Sequence, residues 1–464
     1  MTSCADHGKR HNPKAWKPVA GWSCAGVPFV FLIAVVRRHY LDYPFADQFH
    51  FIPLLDKAFT GTLTWGDLWA AHNHHRLFFP RWVMTTLATR THWDLRYEVA
   101  VNVILGAGIF LWLSYVLLRS AKLLKGDPPY LLLPLVALLV FSLNQWCNWV
   151  WGWQMQIFMA VWATTAGIAM LASPKAGHLH VAGALLLGLF ATFSFGSGMV
   201  YWPAGLAVLV WPLFWKARVR GVWLVLWCAV AASVLVLYVL DLEALPHTRH
   251  NPATFLAYVL VYLGANVTLF RPWAALPAGI GALGFAAWAH WSLVRARRIP
   301  AASLAPFTAL MLYAVATALL TALKRASWLG PQQAAAPRYC TVSMLFWVGV
   351  VYLLWLMTRT EPLGTGWVWR WRYRRQAARL ALAAVTCLTI LSSRQGFYSL
   401  DEHTNVYEPE VRRLVLDDLD ELPPRLNPTG APLREELAIL KQRRLAVFRP
   451  EWAHAGKREK APEE

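Results

Sequence analysis

GWSCAGVPFVFLIAVVRR, Gly21 to Arg38, leads within five residues into YPFADQFHFIPLLDKAFTGTLTWGDLWAAHNHHRLFFPRW, Tyr43 to Trp82. The first string is apolar to Val36, close to the length an α-helix needs to cross hydrocarbon. It ends on Arg37-Arg38 rather than on a small-residue cleavage site, so it reads as a retained signal anchor. The second string leaves the membrane yet holds Asp47, Asp56, Asp67 and the cluster His72-Asn73-His74-His75-Arg76. Polar groups packed this densely beside a bilayer are costly unless they bind something. Phe49, Ile52, Leu55 and Phe59 recur at helical spacing between them, as in a helix lying flat on the membrane.

Working outward, the whole chain has the same character. It is 57% hydrophobic and only 15% charged, which excludes a single soluble domain. Apolar runs are expected as spans near 97–118, 129–145, 155–172, 179–195, 199–215, 221–240, 273–294, 304–323, 340–358 and 379–393. The fold class is therefore all-α, a polytopic transmembrane helical bundle of about eleven spans. The net charge of +19 falls in short clusters between spans, including Arg119-Lys122-Lys125, Lys216-Arg218-Arg220, Arg295-Arg297-Arg298 and Arg370 to Arg375. The positive-inside effect accounts for that pattern without a nucleic-acid partner. Counting 253–270 as a span would put two of these clusters outside, so that segment reads as a re-entrant or interfacial helix.

The domains follow: 1–18 a basic cytoplasmic tail, 19–393 the membrane domain with 42–96 its first outer loop, and 394–464 a hydrophilic outer tail. In that tail Asn405–Leu422 and Leu433–Val447 carry helical periodicity, broken by Pro423-Pro424 and Pro428. They read as short helices lying on the membrane domain. The six cysteines form no metal spacing; Cys147 and Cys340 both fall near the outer ends of spans, and a disulfide between them is not expected. Every unusual polar loop falls on one side in this topology: Asp42–Arg96, Asn144–Gln154, Ser194–Gly198, Asp241–Asn251 and Lys324–Arg338. That segregation points to chemistry outside the cytoplasm.

Each candidate has a plain alternative. Asp47 can be a general base or only a helix cap. If His72, Asn73, His75 and Arg76 lie on a helix, His72, His75 and Arg76 share one face, able to hold a phosphate or merely meet lipid head groups. H-N-H-H lacks the His-Glu-x-x-His pattern of a zinc protease. Trp149, Trp153 and Gln154 belong to a loop of four Trp interleaved with amides, which fits a glycan site as well as an interface belt. Arg325, Arg338 and Tyr339 can bind a phosphate or snorkel to bulk lipid. His247, Arg249 and His250 make a weaker basic group. No G-x-S-x-G elbow or P-loop is present.

The order in the first loop is a lone Asp after the first span, an amphipathic stretch, then Gly66-Asp67 before Trp69 and the polar cluster. It resembles the first extracytoplasmic loop of GT-C glycosyltransferases, which take sugars from polyprenyl-phosphate carriers. The resemblance implies that Asp47 activates an acceptor hydroxyl, with Asp56, Asp67 and the polar cluster near the substrates. It also implies that Arg76, Arg325 and Arg338 hold the phosphate of a polyprenyl-linked sugar donor, and that the acceptor is a glycan, a lipid or a protein. The chain departs from the family at Gln48, where the usual pair has a second acid, and lacks the second acidic motif. A divalent cation at the lipid phosphate is thus allowed by the resemblance but has no supporting spacing here. A surface-polysaccharide polymerase or ligase is the nearest alternative. A lipid-linked glycan or small-solute transporter or flippase is the alternative from another class, but neither an inverted repeat nor mid-bilayer charges are evident.

Overall fold

The computed structural model describes residues 16–124, 128–173, 175–210, 217–240, 242, 251–268, 270–295, 299–359, 368–427 and 433–450. Among these, eight helices are long and apolar enough to cross a membrane, or up to nine if one bent pair is a single span. The chain is a multi-pass helical membrane protein. Helices α1 (Trp16–His39), α5 (Leu95–Lys122), α11 (Ala217–Val239), α14 (Ala301–Leu329), α15 (Cys340–Arg359) and α16 (Val368–Leu416) are the longest of these elements with α13 (Pro272–Arg295). Their burial sorts them. The stretch containing α15 is 100% buried, whereas the apolar window of α11 is only 17% buried. Val222, Val225 and Val236 on α11 are exposed, as lipid-facing side chains are, so α15 is the bundle's axis and α11 lies at its rim.

Several expected spans take another form. The 179–195 region forms α9 (His178–Thr192), apolar but short. Within 199–215, α10 (Tyr201–Leu209) is described and 211–216 fall outside the described residues. Residues 253–270 form α12 (Pro252–Gly264) and a 3-10 turn, followed by α13 after a bend of 95°. The two helices touch through glycine: a Cβ on Gly279 would stand 2.0 Å from the Leu260 carbonyl oxygen, and one on Gly264 equally close to that of Ala275. Only hydrogen fits at these two contacts, as at close helix crossings in membranes.

The last span also differs from expectation. It does not stop at 393; α16 continues unbroken to Leu416, through Arg394 and Pro409. At 1.5 Å per residue its 49 residues extend about 73 Å, more than twice the hydrocarbon thickness of about 30 Å. Hydropathy marks where a helix leaves lipid and not where it ends, so the helix carries the chain well clear of the bundle.

That projection supports a second core. The first loop folds as a 3-10 helix (Ala46–Phe51), α2 (Ile52–Thr60), α3 (Trp65–Trp69), a two-stranded hairpin β1 (Ala71–His72) and β2 (His75–Arg76), and α4 (Phe78–Thr91). Phe49, Ile52, Leu55, Leu77, Met84 and Ala88 from this loop pack with Val411 and Leu414 of α16 and with Leu437 and Leu440 of α17 (Arg434–Arg443). Loop and tail therefore make one cap. Its polar centre is Arg449, which is 7% exposed; it donates to Asp42 and, at 3.0 Å, to Asp94. These carboxylates are 1% and 4% exposed and sit where α1 ends and α5 begins. The Tyr40 hydroxyl donates to Asp42 at 2.6 Å and the Leu95 amide donates to it at 3.1 Å. Asp94 caps α5 and takes Arg96 as well.

Removing one member of a buried charge group leaves the others uncompensated, at a cost of about 3–5 kcal/mol. Arg449→Leu should therefore lower the detergent melting midpoint sharply. Arg412→Leu breaks an exposed pair with Glu408 and should hardly move it. Equal, small shifts in both variants would show that the tail does not hold the cap.

Candidate functional site

Most of the polar loops expected on one side meet at one end of the bundle. Asn102 Nδ2 donates to the Asn148 carbonyl at 3.0 Å, Asn148 Nδ2 donates to the Arg338 carbonyl at 3.1 Å, and Asn266 Nδ2 donates to the Cys340 carbonyl at 3.2 Å. The Leu143 amide donates to Ser393 on α16 at 3.0 Å. Basic connectors lie at the other end, where Arg119 holds the Ala172 carbonyl and Arg374 stacks on Trp288. Lys125, Lys216, Arg297, Arg298, His247, Arg249 and His250 lie outside the described residues.

The site is organised by the 3-10 helix Ala46–Phe51, whose two faces do different things. Gln48, 1% exposed, faces inward. Its oxygen accepts from the Phe45 amide at 3.1 Å and from Trp151 Nε1 at 3.0 Å; its Nε2 donates to Glu98 at 2.9 Å. Trp93 Nε1 donates to the other Glu98 oxygen at 2.8 Å. Gly152 closes this pocket, since a Cβ there would lie 2.2 Å from Glu98 Oε2. A residue read from the sequence as a missing acid is thus the hydrogen-bond hub that sets the helix in place. Glu98 was not singled out by the sequence reading; a carboxylate at the head of an apolar run was its only signal.

Asp47 faces the other way. Its carboxylate is 40% exposed and 4.0 Å from His72 Nε2. The His72 ring packs edge-on against Trp153 at 5.1 Å, stands 5.9 Å from His50, and receives the Asn73 amide at 3.1 Å. Burial lowers the His72 pKa, Asp47 opposes that effect, and Arg81 and His50 add to it. His72 and His75 are not on a helix. They pair directly across the hairpin, and Asn73 and His74 form its turn with φ of 47° and 65°. Both turn residues are left-handed, as a two-residue turn of this type requires.

His75 points away from Asp47, onto Phe195 at 4.8 Å and toward the Tyr238 hydroxyl at 3.4 Å. Burial pushes its imidazole down to about 3, and Lys324 and Arg325 on α14 push in the same direction. His75 is accordingly neutral at physiological pH.

Other candidates are occupied by the fold. Arg76 is buried and donates to the carbonyls of Tyr238 at 2.8 Å, Trp69 at 3.2 Å and Leu240, stapling the hairpin to α11. Asp67 accepts Lys57 at 2.5 Å and closes a capping box with Thr64, which holds its carboxyl well below the usual range. Asp56 accepts Arg443 of the tail at 2.5 Å. Trp149 is fully buried and donates to the Ser142 carbonyl at 3.0 Å. Trp153 and Gln154 are buried, with Trp153 also against Phe51. The Tyr339 hydroxyl shares Gln333 with Tyr258. Cys147 and Cys340 are free thiols.

Behind Gln48 opens a cavity of about 320 Å³, lined by Phe45, Gln48, Trp146, Trp151, Arg338 and His403 with apolar residues including Leu41 and Pro337. The Trp146 and His403 rings stand 5.0 Å apart, and Phe45 meets His403 at 5.7 Å. Two lining residues carry a buried N–H with no hydrogen-bond partner, Trp146 Nε1 and Arg338 Nε; His39 Nδ1 donates to Thr404 Oγ1 at 3.2 Å, which leaves its Nε2 an acceptor. Unmet buried donors are costly, so two on the residues of one cavity are suited to a ligand with acceptor oxygens. Among the described residues no group of three His, Cys, Asp or Glu side chains is arranged to hold a metal ion. With Gln48 turned inward and Asp47 facing a single imidazole, the donor set does not fit the cation that the family resemblance allows. The chain matches no protein-family model, no curated protein and no solved structure.

Proposed function

We propose that the chain is an integral membrane glycosyltransferase of GT-C type. It moves a sugar from a polyprenyl-phosphate donor to an acceptor hydroxyl at the outer face of the cytoplasmic membrane. The observation that carries this reading is the division of labour on one short helix. Asp47 is open to solvent beside His72, and its neighbours on the same short helix segment, Phe45 and Gln48, line a cavity whose two unmet donors suit a phosphate. In this mechanism the carrier phosphate sits against Arg338 and Trp146, and its chain leaves along the apolar wall. The bond between the sugar's anomeric carbon and the phosphate oxygen breaks. The guanidinium and the indole N–H stabilise the charge that develops on the leaving phosphate, where low dielectric strengthens them. The acceptor oxygen forms the new bond to the anomeric carbon. The mechanism requires the sugar to extend from the cavity past Gln48 to the opposite face of the 3-10 helix, where the acceptor's proton passes to Asp47 beside solvent and His72.

Incubating the purified protein with polyprenyl-phosphate hexoses and pentoses should release polyprenyl phosphate. Asp47→Asn keeps the shape but cannot take a proton, and should lower that rate by about 10² or more at equal protein level. Wild-type rates in the variant would leave Asp47 without a chemical role.

The finer topology belongs to the same proposal: about eleven crossings, with α12 re-entrant on the outer side and the cap outside. Support comes from α12, whose Tyr258 and Tyr262 meet Gln333 and Tyr339 at the polar end, while His290 of α13 reaches Thr308 at the basic end. An impermeant thiol reagent applied to intact cells should modify a cysteine placed at Glu410 and spare one placed at Arg374. The reverse pattern would invert the assignment.

A further inference from the structure

The cap carries a second opening that the Asp47 site does not use, a groove of about 400 Å³ where α4 packs against α2 and α3. That size lies within the range of small-molecule sites, about 300–1,000 Å³. Two indoles border it, Trp65 of α3 and Trp82 of α4, which are 72% and 51% exposed. Phe78 stacks on Trp65 with ring centres 6.0 Å apart and planes 21° apart, so that indole is held in place although most of it is exposed. Four threonines, Thr64, Thr85, Thr86 and Thr89, line the same groove; the remaining lining residues are small or apolar, and none is charged. The neighbouring Lys57 is engaged by Asp67 at 2.5 Å. Each of the four hydroxyls gives its proton to its own chain. Thr64 donates to Asp67 at 2.7 Å, Thr85 to the Arg81 carbonyl at 2.7 Å, Thr86 to the Trp82 carbonyl at 2.7 Å and Thr89 to the Thr85 carbonyl at 3.0 Å. A hydroxyl has one proton and two lone pairs, so what these four offer a ligand is acceptor oxygen. Lipid is the other common reason for an exposed indole. A lipid-facing surface in this protein looks like α11, with Val222, Val225 and Val236 exposed. Beside the groove the exposed residues are instead Thr60, Gly61, Thr62, Thr64, Thr89 and Arg90.

We propose that this groove binds a neutral glycan, with sugar rings laid on Trp65 and Trp82 and sugar hydroxyls donating to the threonine oxygens. A sugar ring presents C–H groups on its face and O–H groups at its edge. The first suit the electron-rich face of an indole, and the second supply the donors that the threonines lack. An anionic ligand meets no cation among the lining residues. An aliphatic ligand would take water from the threonine oxygens and return no hydrogen bond. The groove is built on the elements that carry the candidate base: α2 starts where the 3-10 helix of Asp47 ends, and α3 leads into the hairpin of His72. Binding here needs no sugar transfer, so the proposal stands or falls apart from the transferase reading.

The test titrates the protein, in nanodiscs of zwitterionic lipid, with maltotetraose, cellotetraose and mannotetraose, and with tetragalacturonate as the charged counterpart, followed by saturation-transfer NMR. At least one neutral tetrasaccharide should bind, with saturation strongest at its ring C–H protons. Trp65→Ala and Trp82→Ala should each weaken that binding about tenfold at an unchanged melting midpoint. Trp82→Phe keeps an aromatic face and should retain most of it, and Thr86→Val/Thr89→Val removes two acceptors and should weaken it. Trp273→Ala, which deletes an indole on α13 that is 77% exposed, should leave it unchanged. No binding of any neutral tetrasaccharide, tighter binding of tetragalacturonate, or binding that survives both Trp→Ala changes would overturn the site. The lipid alternative is read with a nitroxide on Trp82→Cys, in a chain whose native cysteines are changed to Ser. An aqueous nickel chelate should relax that label more than oxygen does; the reverse order would place the indoles in lipid and refute the proposal.

Discussion

Arg449 reaches back across almost the whole chain to lie between Asp42 and Asp94, and the architecture of the cap hangs on that contact. Two carboxylates at the junctions of α1 and α5 could not remain buried and charged without it. The same contact fixes the span of the first loop, since Asp42 opens it and Asp94 closes it. Between these anchors the loop must fold outward, and α17 and the end of α16 fill the space beneath it with leucines. A membrane bundle alone would leave such a loop with one wet face and one fatty face. Here the tail supplies the missing half of a core.

The short 3-10 helix inherits its precision from this arrangement. Glu98 sits one turn into α5, and its position is set by the Asp94 cap four residues earlier. Glu98 in turn holds Gln48, and Gln48 holds Trp151 and the backbone at Phe45. Asp47 follows from Gln48 by adjacency in the chain, so a side chain open to solvent is positioned by bonds that are buried or partly buried. Such indirect support is how a reactive carboxylate can be held without being neutralised by the groups that hold it. The cavity on one side and the His72 imidazole on the other then give the helix two chemically different neighbours.

Much of the bundle was legible in the sequence because hydropathy and charge act locally. The run Gly21 to Val36 does become part of α1, and Phe49, Ile52 and Leu55 do mark buried positions of the loop. The hairpin was hidden because its turn is Asn73-His74, and His replaces the glycine that usually signals left-handed backbone. Charge at Arg394 looked like an end because hydropathy sees lipid, while a helix needs only its own backbone bonds to continue. Arg76 looked like a phosphate ligand because nothing local reveals that the carbonyls of Tyr238 and Leu240 would be presented to it. Gln48, Glu98 and Arg449 share that difficulty: each is defined by partners far away in the chain.

The central claim is that the cavity behind Gln48 receives a polyprenyl phosphate. A short-chain polyprenyl phosphate carrying a photoreactive group in its first isoprene unit, crosslinked to the purified protein in nanodiscs and mapped by peptide sequencing, tests it most directly. Labelling should concentrate on the cavity wall, at Trp146, Val150, Pro337 and Tyr407, and should be displaced by unlabelled polyprenyl phosphate but not by the free alcohol. Labelling confined to lipid-facing residues such as Val222 and Val225, or displaced equally by the alcohol, would contradict the account.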